Sequence, residues 1–106
     1  MVASKNGGKQ IVRRYGIRRG DRTTAGGVVE GGTAGAELGG RLQAFEHDPV
    51  WCPRCKSMGR IVCTGPRIPA KGPDGREAAL SEDWCVCGCE RTPLLVASQF
   101  DAYVEV

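Results

Sequence analysis

Apolar positions along this chain come in pairs and short alternations, never in long runs. Val28-Val29 gives way to Glu30-Gly31-Gly32, and Ile61-Val62 gives way to Cys63-Thr64-Gly65. Aliphatic pairs suit strands, and a glycine just after them suits a turn. Gly39-Gly40 and Asp74-Gly75 are hairpin-type dipeptides. In the last residues Phe100, Ala102, Val104 and Val106 alternate, which predicts a further short strand. Only Arg76 to Asp83 offers a helical stretch, and it is too short to hold a helix alone. Pro66, Pro69 and Pro73 interrupt the chain before it. The pattern predicts an all-β domain over residues 11–98, a polar, glycine-bearing arm over residues 1–10 and a tail over residues 99–106.

The pattern also repeats. Val28-Val29-Glu30-Gly31-Gly32 can be laid on Ile61-Val62-Cys63-Thr64-Gly65. Gly40-Arg41 and Gly75-Arg76 each lead to an alanine, Ala44 and Ala79, and then to an aspartate, Asp48 and Asp83. A further aspartate, Asp21, opens the series. Residues 28–48 are thus related to residues 61–83, and the aspartates read as turn formers. Short repeated strands leave edges that repetition or a partner must cover.

Composition narrows the picture. The 106 residues suffice for one domain with a modest core. Sixteen glycines oppose long helices, and an apolar content of 41% is too high for a disordered chain. The net charge is only +3 but uneven: Lys5, Lys9, Arg13, Arg14, Arg18, Arg19 and Arg22 face a single acid, Asp21, at the start of the chain. Such a cluster can bind nucleic acid, yet no aromatic ladder or recognition helix accompanies it, so it reads as a solvated basic arm or strand. The start lacks the apolar stretch of a signal peptide, and the longest clean apolar run, Leu94 to Ala97, is far short of a membrane span. The expectation is a soluble protein made in the cytoplasm without stable membrane insertion, its six cysteines reduced or metal-bound.

The cysteines carry the chemistry. Cys52-Pro53-Arg54-Cys55 is a knuckle that lets two sulfurs converge on one ion. Cys85-Val86-Cys87-Gly88-Cys89 on a strand puts three sulfurs on one face, because side chains alternate, although Gly88 can relax that geometry. Together they hold five candidate ligands, Cys52, Cys55, Cys85, Cys87 and Cys89, for a closed site that needs four. One structural zinc per chain is the best match. Spacing alone does not single out the four. Cys63, after an apolar pair, reads as a packed core cysteine, and His47, the sole histidine, as a surface or hydrogen-bonded residue. Trp51 and Trp84 each precede a cysteine and read as packing residues. No nucleophile–base arrangement or phosphate-binding loop is present, so no catalytic residue is assigned.

The segment Gly20-Asp21-Arg22-Thr23-Thr24-Ala25-Gly26-Gly27-Val28-Val29 resembles the opening motif of PAAR-repeat (proline-alanine-alanine-arginine) proteins. Asp48-Pro49-Val50-Trp51-Cys52-Pro53 resembles the second Gly-Asp block of that family leading into Cys-Pro, and Cys85 to Cys89 is similar to the cysteine cluster that closes one subgroup. The resemblance covers about residues 11–98. The naming tetrapeptide falls on Leu42-Gln43-Ala44-Phe45 and on Glu77-Ala78-Ala79-Leu80, neither of which matches it. The second Gly-Asp is His47-Asp48, and Ala25 stands at the small-or-histidine position before Gly26. Histidines that family members bring near the cysteines fall at about Ser57 and Asp83, so Cys55 and one of Cys85, Cys87 and Cys89 would replace them.

The resemblance implies a cone of β-hairpins with pseudo-threefold symmetry, with zinc near its apex. It implies a structural spike tip, not an enzyme, that caps and sharpens the trimeric VgrG-type needle of a type VI secretion system, one copy per trimer. Effector or toxin cargo and secretion by the contractile apparatus come with it. Base residues are sought among Ile11, Val12, Ile17, Val28, Val29, Ile61 and Val62, some of which must be core instead. A zinc-ribbon-like module binding nucleic acid or protein is the alternative, resting on the knuckle and the basic start.

Overall fold

The computed structural model describes residues 12–106, so Ile11 and the arm, with Lys5 and Lys9, lie outside the described residues. Ten strands of two to six residues make the fold, with no helix among the described residues: β1 (Arg13–Tyr15), β2 (Arg22–Thr23), β3 (Val28–Val29), β4 (Glu37–Leu38), β5 (Arg41–Leu42), β6 (Pro49–Cys52), β7 (Ser57–Val62), β8 (Trp84–Val86), β9 (Leu95–Val96) and β10 (Tyr103–Glu105). Six of them form one antiparallel sheet in the order β8-β7-β6-β3-β2-β9. A bridge between Trp84 and Leu94 and the Cys85 N–H to Pro93 carbonyl bond, 2.9 Å, join its two ends, so the sheet is nearly closed. Closure removes the exposed edges that short strands otherwise present.

Three hairpins make this sheet, and three equivalent turns feed them. In each turn an aspartate carboxylate accepts the backbone N–H three residues earlier: Asp21 from Arg18 at 2.9 Å, Asp48 from Phe45 at 2.8 Å and Asp83 from Leu80 at 2.8 Å. The residue before each aspartate turns left-handed, with φ of 90° at Gly20, 75° at His47 and 73° at Glu82. Just upstream, Ile17, Ala44 and Ala79 close a ring of hydrogen bonds. Ile17 donates to the Ala79 carbonyl (3.1 Å), Ala79 to Ala44 (3.1 Å) and Ala44 to Ile17 (2.9 Å). This cyclic set marks the pseudo-threefold axis.

The core stacks in layers along that axis. Ile17, Ala44 and Ala79 form the first layer; Val29, Ile61 and Leu95, paired with the turns, form the next. Val50 and Cys85, with Thr23 in the corresponding place, come above them. Each buried aliphatic of this kind contributes about 1.5–3 kcal/mol. Equivalence runs from Val29 to Ile61 to Leu95, which corrects the sequence overlay of Val28 on Ile61 by one residue. A one-residue shift exchanges the two faces of a strand: Val28 and Val62 are half-buried, while Val29 and Ile61 face the core. Ile17 is core as well, and Val12 is exposed.

Below the axial ring each unit gains an outer strand. Gln43 donates to Ala36 (2.9 Å), Ala78 to Ala70 (2.8 Å) and Gly16 to Ala102 (3.0 Å). In the second unit this is the hairpin β4–β5, whose two-residue loop Gly39-Gly40 has φ of 56° and 87° and so needs residues free of a Cβ penalty. In the first unit the outer strand is β10, paired antiparallel with β1 and continued by reciprocal bonds between Val12 and Val106. The chain's two described ends thereby complete one unit.

The basic start is part strand, with Arg13, Arg19 and Arg22 exposed as expected, but two of its arginines are not solvated. Arg14 and Arg18 are buried. Arg14 reaches the Asp83 carboxylate at 2.7 Å, one of three such pairs with Arg76–Asp48 at 2.7 Å and Arg41–Asp21 at 3.8 Å. Each of these arginines lies three residues before an axial residue and clasps the aspartate of the neighbouring unit. Arg67 also pairs with Asp83. Arg18 holds the Leu38 carbonyl (3.2 Å) and the Ser98 hydroxyl (2.9 Å). Buried charges require such partners, and the sequence overlay left them out.

Candidate metal centre

The hairpin ends farthest from the axial ring carry the thiols. Cys52 ends β6, and the turn Pro53–Lys56 brings Cys55 back over it; Lys56 completes the turn with φ of 55°. Across the β7–β8 ladder, Cys87 follows β8 and Cys89 lies beyond Gly88. Gly59 in β7 permits this approach, because a Cβ there would lie 2.8 Å from that of Cys87. The four sulfurs of Cys52, Cys55, Cys87 and Cys89 lie within 4.8 Å of one another, with Cys52 and Cys89 3.5 Å apart, and none forms a disulfide.

Cys85 is not among them. Strand alternation does put it on the same face as Cys87, but two residues further down, a rise of about 6.7 Å. It is fully buried in the apolar core. Cys63 is half-buried, its sulfur 3.8 Å from the Glu77 carbonyl. His47 sits in the second aspartate turn, at the opposite end of β6 from Cys52, and donates its backbone N–H to Ile61. Strand length thus sorts five equivalent-looking cysteines into four neighbours and one core residue.

Electrostatics set Cys55 apart from Cys87 and Cys89. The Ser57 hydroxyl, 3.1 Å from Cys55, lowers that thiol to about 6, with help from the Gly88 N–H at 3.3 Å. Loss of water raises Cys87, and loss of water with the adjoining thiols pushes Cys89 up to about 12. Burial holds Cys85 and Cys63 up at about 12 as well. One thiolate is therefore ready, and a second or third needs a cation to offset the negative charge. Four sulfurs around a tetrahedral zinc at about 2.3 Å lie about 3.8 Å from one another; here all four lie within 4.8 Å, close enough to share such an ion. An all-sulfur donor set suits zinc and other thiophilic ions over calcium or magnesium.

Sequence reasoning missed one feature of the axial segments. Tyr15-Gly16-Ile17-Arg18 occupies the same place as Leu42-Gln43-Ala44-Phe45 and Glu77-Ala78-Ala79-Leu80, and it ends in arginine, Arg18. The aspartate three residues on was the available signal. Among known proteins, the family model described as the PAAR motif matches residues 19–91, well over half of the chain. No curated protein and no solved structure matches it.

Proposed function

This chain belongs to the PAAR-repeat family of type VI secretion spike-tip proteins, and from that premise we propose that it caps the blunt end of a trimeric VgrG-type needle, one copy per trimer. The cyclic hydrogen bonding of Ile17, Ala44 and Ala79 carries the reading. A monomer whose backbone repeats three times around an axis presents three near-equivalent edges to three identical chains, so one copy satisfies a true trimer. The outer strands β4 and β10 and the Ala70–Lys71 segment form those edges, and they can cover unpaired backbone groups at the ends of the needle's strands.

The opposite end holds the metal. Cys52, Cys55, Cys87 and Cys89 bind one structural zinc, which ties the second and third hairpins together at the apex. A zinc held by these four thiolates would have no open position for a reaction and would serve as a clamp. The chain serves as a structural tip, assembled in the cytoplasm and expelled with the needle together with any effector it carries. No helix among the described residues is long and apolar enough to cross a membrane.

The test is native mass spectrometry of the chain with a purified VgrG-type trimer. One chain per trimer is expected, with one zinc by elemental analysis. Three chains per trimer would refute capping even if binding were tight.

A further inference from the structure

Of the arginine–aspartate pairs that join the units, one is unlike the others. Arg14 and Arg76 sit directly on Asp83 and Asp48, each at 2.7 Å. Arg41 stops 3.8 Å from Asp21, because the Ser98 hydroxyl lies between them: it donates to Asp21 and accepts from Arg41 at 2.8 Å. The same hydroxyl accepts from Arg18 at 2.9 Å. Two guanidiniums thus share one carboxylate, and neither side chain sits on it directly. Arg18 is only 8% exposed, yet its side-chain hydrogen bonds all end on uncharged oxygens of Leu38, Gly39 and Ser98. Its Nε–H has no partner among the described residues. Asp83 also serves two arginines, but there the second, Arg67, is 13% exposed and donates to the Thr64 and Ala78 carbonyls as well. At Asp21 the second, Arg41, is 43% exposed. Glycines keep this place open. A Cβ at Gly20 would lie 2.8 Å from Arg41 Nη1 and one at Gly39 would lie 3.0 Å from Arg18 Nη1, while one at Gly40 would meet nothing within 4 Å. Arg19, exposed, gives its carbonyl to Arg41 and adds a third positive charge. Among the described residues, Asp21 is the one carboxylate paired with any of the three.

We propose that Arg41, backed by Arg18 and Arg19, binds an oxyanion, a carboxylate or a phosphate, at the seam between the first and second units. A guanidinium presents its N–H groups as a planar fork that takes two oxygens of one such group at once. Arg41 gives one N–H to the Arg19 carbonyl and one to Ser98, and the others remain for a ligand. Behind it, Arg18 supplies a fixed charge in a place shielded from water, where attraction is stronger than at an open surface. A buried cation without a counter-ion is costly, so an anion held at the seam offsets that cost as well as forming new hydrogen bonds. Neutral ligands would gain nothing from the surplus charge. The site stands whether or not the chain caps a needle, and its bridging group, Ser98, lies outside the residues that the family model matches.

The experiment titrates the full, metal-loaded chain with inorganic phosphate and, separately, with an acetylated tri-glutamate peptide, against chloride at matched ionic strength. Nuclear magnetic resonance of the arginine Nε–H groups in slightly acidic buffer reads the site directly. Two charge-assisted hydrogen bonds correspond to a dissociation constant of about 1 mM. The signals of Arg18 and Arg41 are expected to move, and those of Arg14 and Arg76, already seated on carboxylates, to stay. Arg41→Gln is expected to weaken binding about tenfold or more. Arg60→Gln removes the same charge from an exposed position on β7 and is expected to change binding less than about twofold. Should Arg41→Gln fail to fold, the arginine signals of the wild-type chain decide alone. Tighter binding of the peptide assigns the site to a carboxylate side chain of a protein, and tighter binding of phosphate assigns it to a free ion; either supports the site. If neither probe moves Arg18 and Arg41, or if the two glutamine variants weaken binding equally, the seam is no anion site and the proposal is overturned.

Discussion

At the apex, two of three hairpin tips converge on four thiols, while the third, around Thr23 to Gly27, closes on its own hydroxyl: Thr23 Oγ1 accepts the Gly27 N–H at 2.9 Å and that of Ala25 at 3.2 Å. At the base, all three units are joined in the same pattern, by the ring of Ile17, Ala44 and Ala79 and by arginine–aspartate pairs running from each unit to the next, of which Arg41–Asp21 is the loosest. The apex breaks the threefold pattern and the base keeps it. The reason lies in what each end has to work with. Backbone groups recur in every unit, so hydrogen bonds between them repeat whatever the side chains are. A metal site needs four donors at one point, and only the two longer hairpins reach it. Symmetry is thus kept where a trimeric partner would read it and dispensed with where the four thiols gather.

Removing the metal should separate the two ends most strongly. Chelation, or Cys87→Ser, is expected to abolish stoichiometric zinc and forfeit metal-binding free energy on the order of 10 kcal/mol, seen as a large fall in Tm. Metal content by elemental analysis and a thermal melt measure it; an unchanged Tm would mean that the apex contributes nothing to holding the cone. Next comes the base. Asp83→Ala strands Arg14 and Arg67 without their carboxylate and should cost about 3–5 kcal/mol in denaturant unfolding, with one zinc still bound. Loss of zinc from that variant would show that the two ends are not separable.

Smaller effects sharpen the contrast. Cys85→Ser puts a hydroxyl in the core, so a loss of about 1–3 kcal/mol with metal retained is expected; metal lost at unchanged stability would make Cys85 a ligand after all. Thr23→Val removes the two hydrogen bonds that close the metal-free tip and should cost about 1 kcal/mol in the same assay. The smallest effect is chemical. In the chelated protein, kept below its lowered Tm, Cys55, with its thiol at about 6, is mostly thiolate at pH 7 and should alkylate before Cys87 and Cys89. Ser57→Ala raises that pKa and should slow Cys55 alkylation at pH 7 with little change in stability.

Much of this was legible in the sequence. Frequent glycine and aliphatic pairs led to an all-β chain, Gly39-Gly40 to its hairpin, and the spaced aspartates to their turns. The third copy of the repeat was hidden because it is split: Leu95 to Val106 lies at one end of the chain and residues 12–21 at the other, and only pairing of β1 with β10 joins them. The overlay slipped by one because two adjacent aliphatics fit either register, and only hydrogen bonding to the aspartate turns picks out Val29 and Ile61.

The sequence by itself determined which residue types exist and how they alternate: five thiols in two clusters, short strands and three aspartate turns. Which four thiols meet, which arginines are buried and where the tail goes were decided by the tertiary structure. Strand alternation is local, so it places Cys85 and Cys87 on one face. The ladder between β7 and β8 then sets how far along that face each one lies, and so separates the core from the apex. The arginine–aspartate pairs join residues 20 to 69 positions apart. Such distances are bridged only when the ring closes, because no local preference reaches across them.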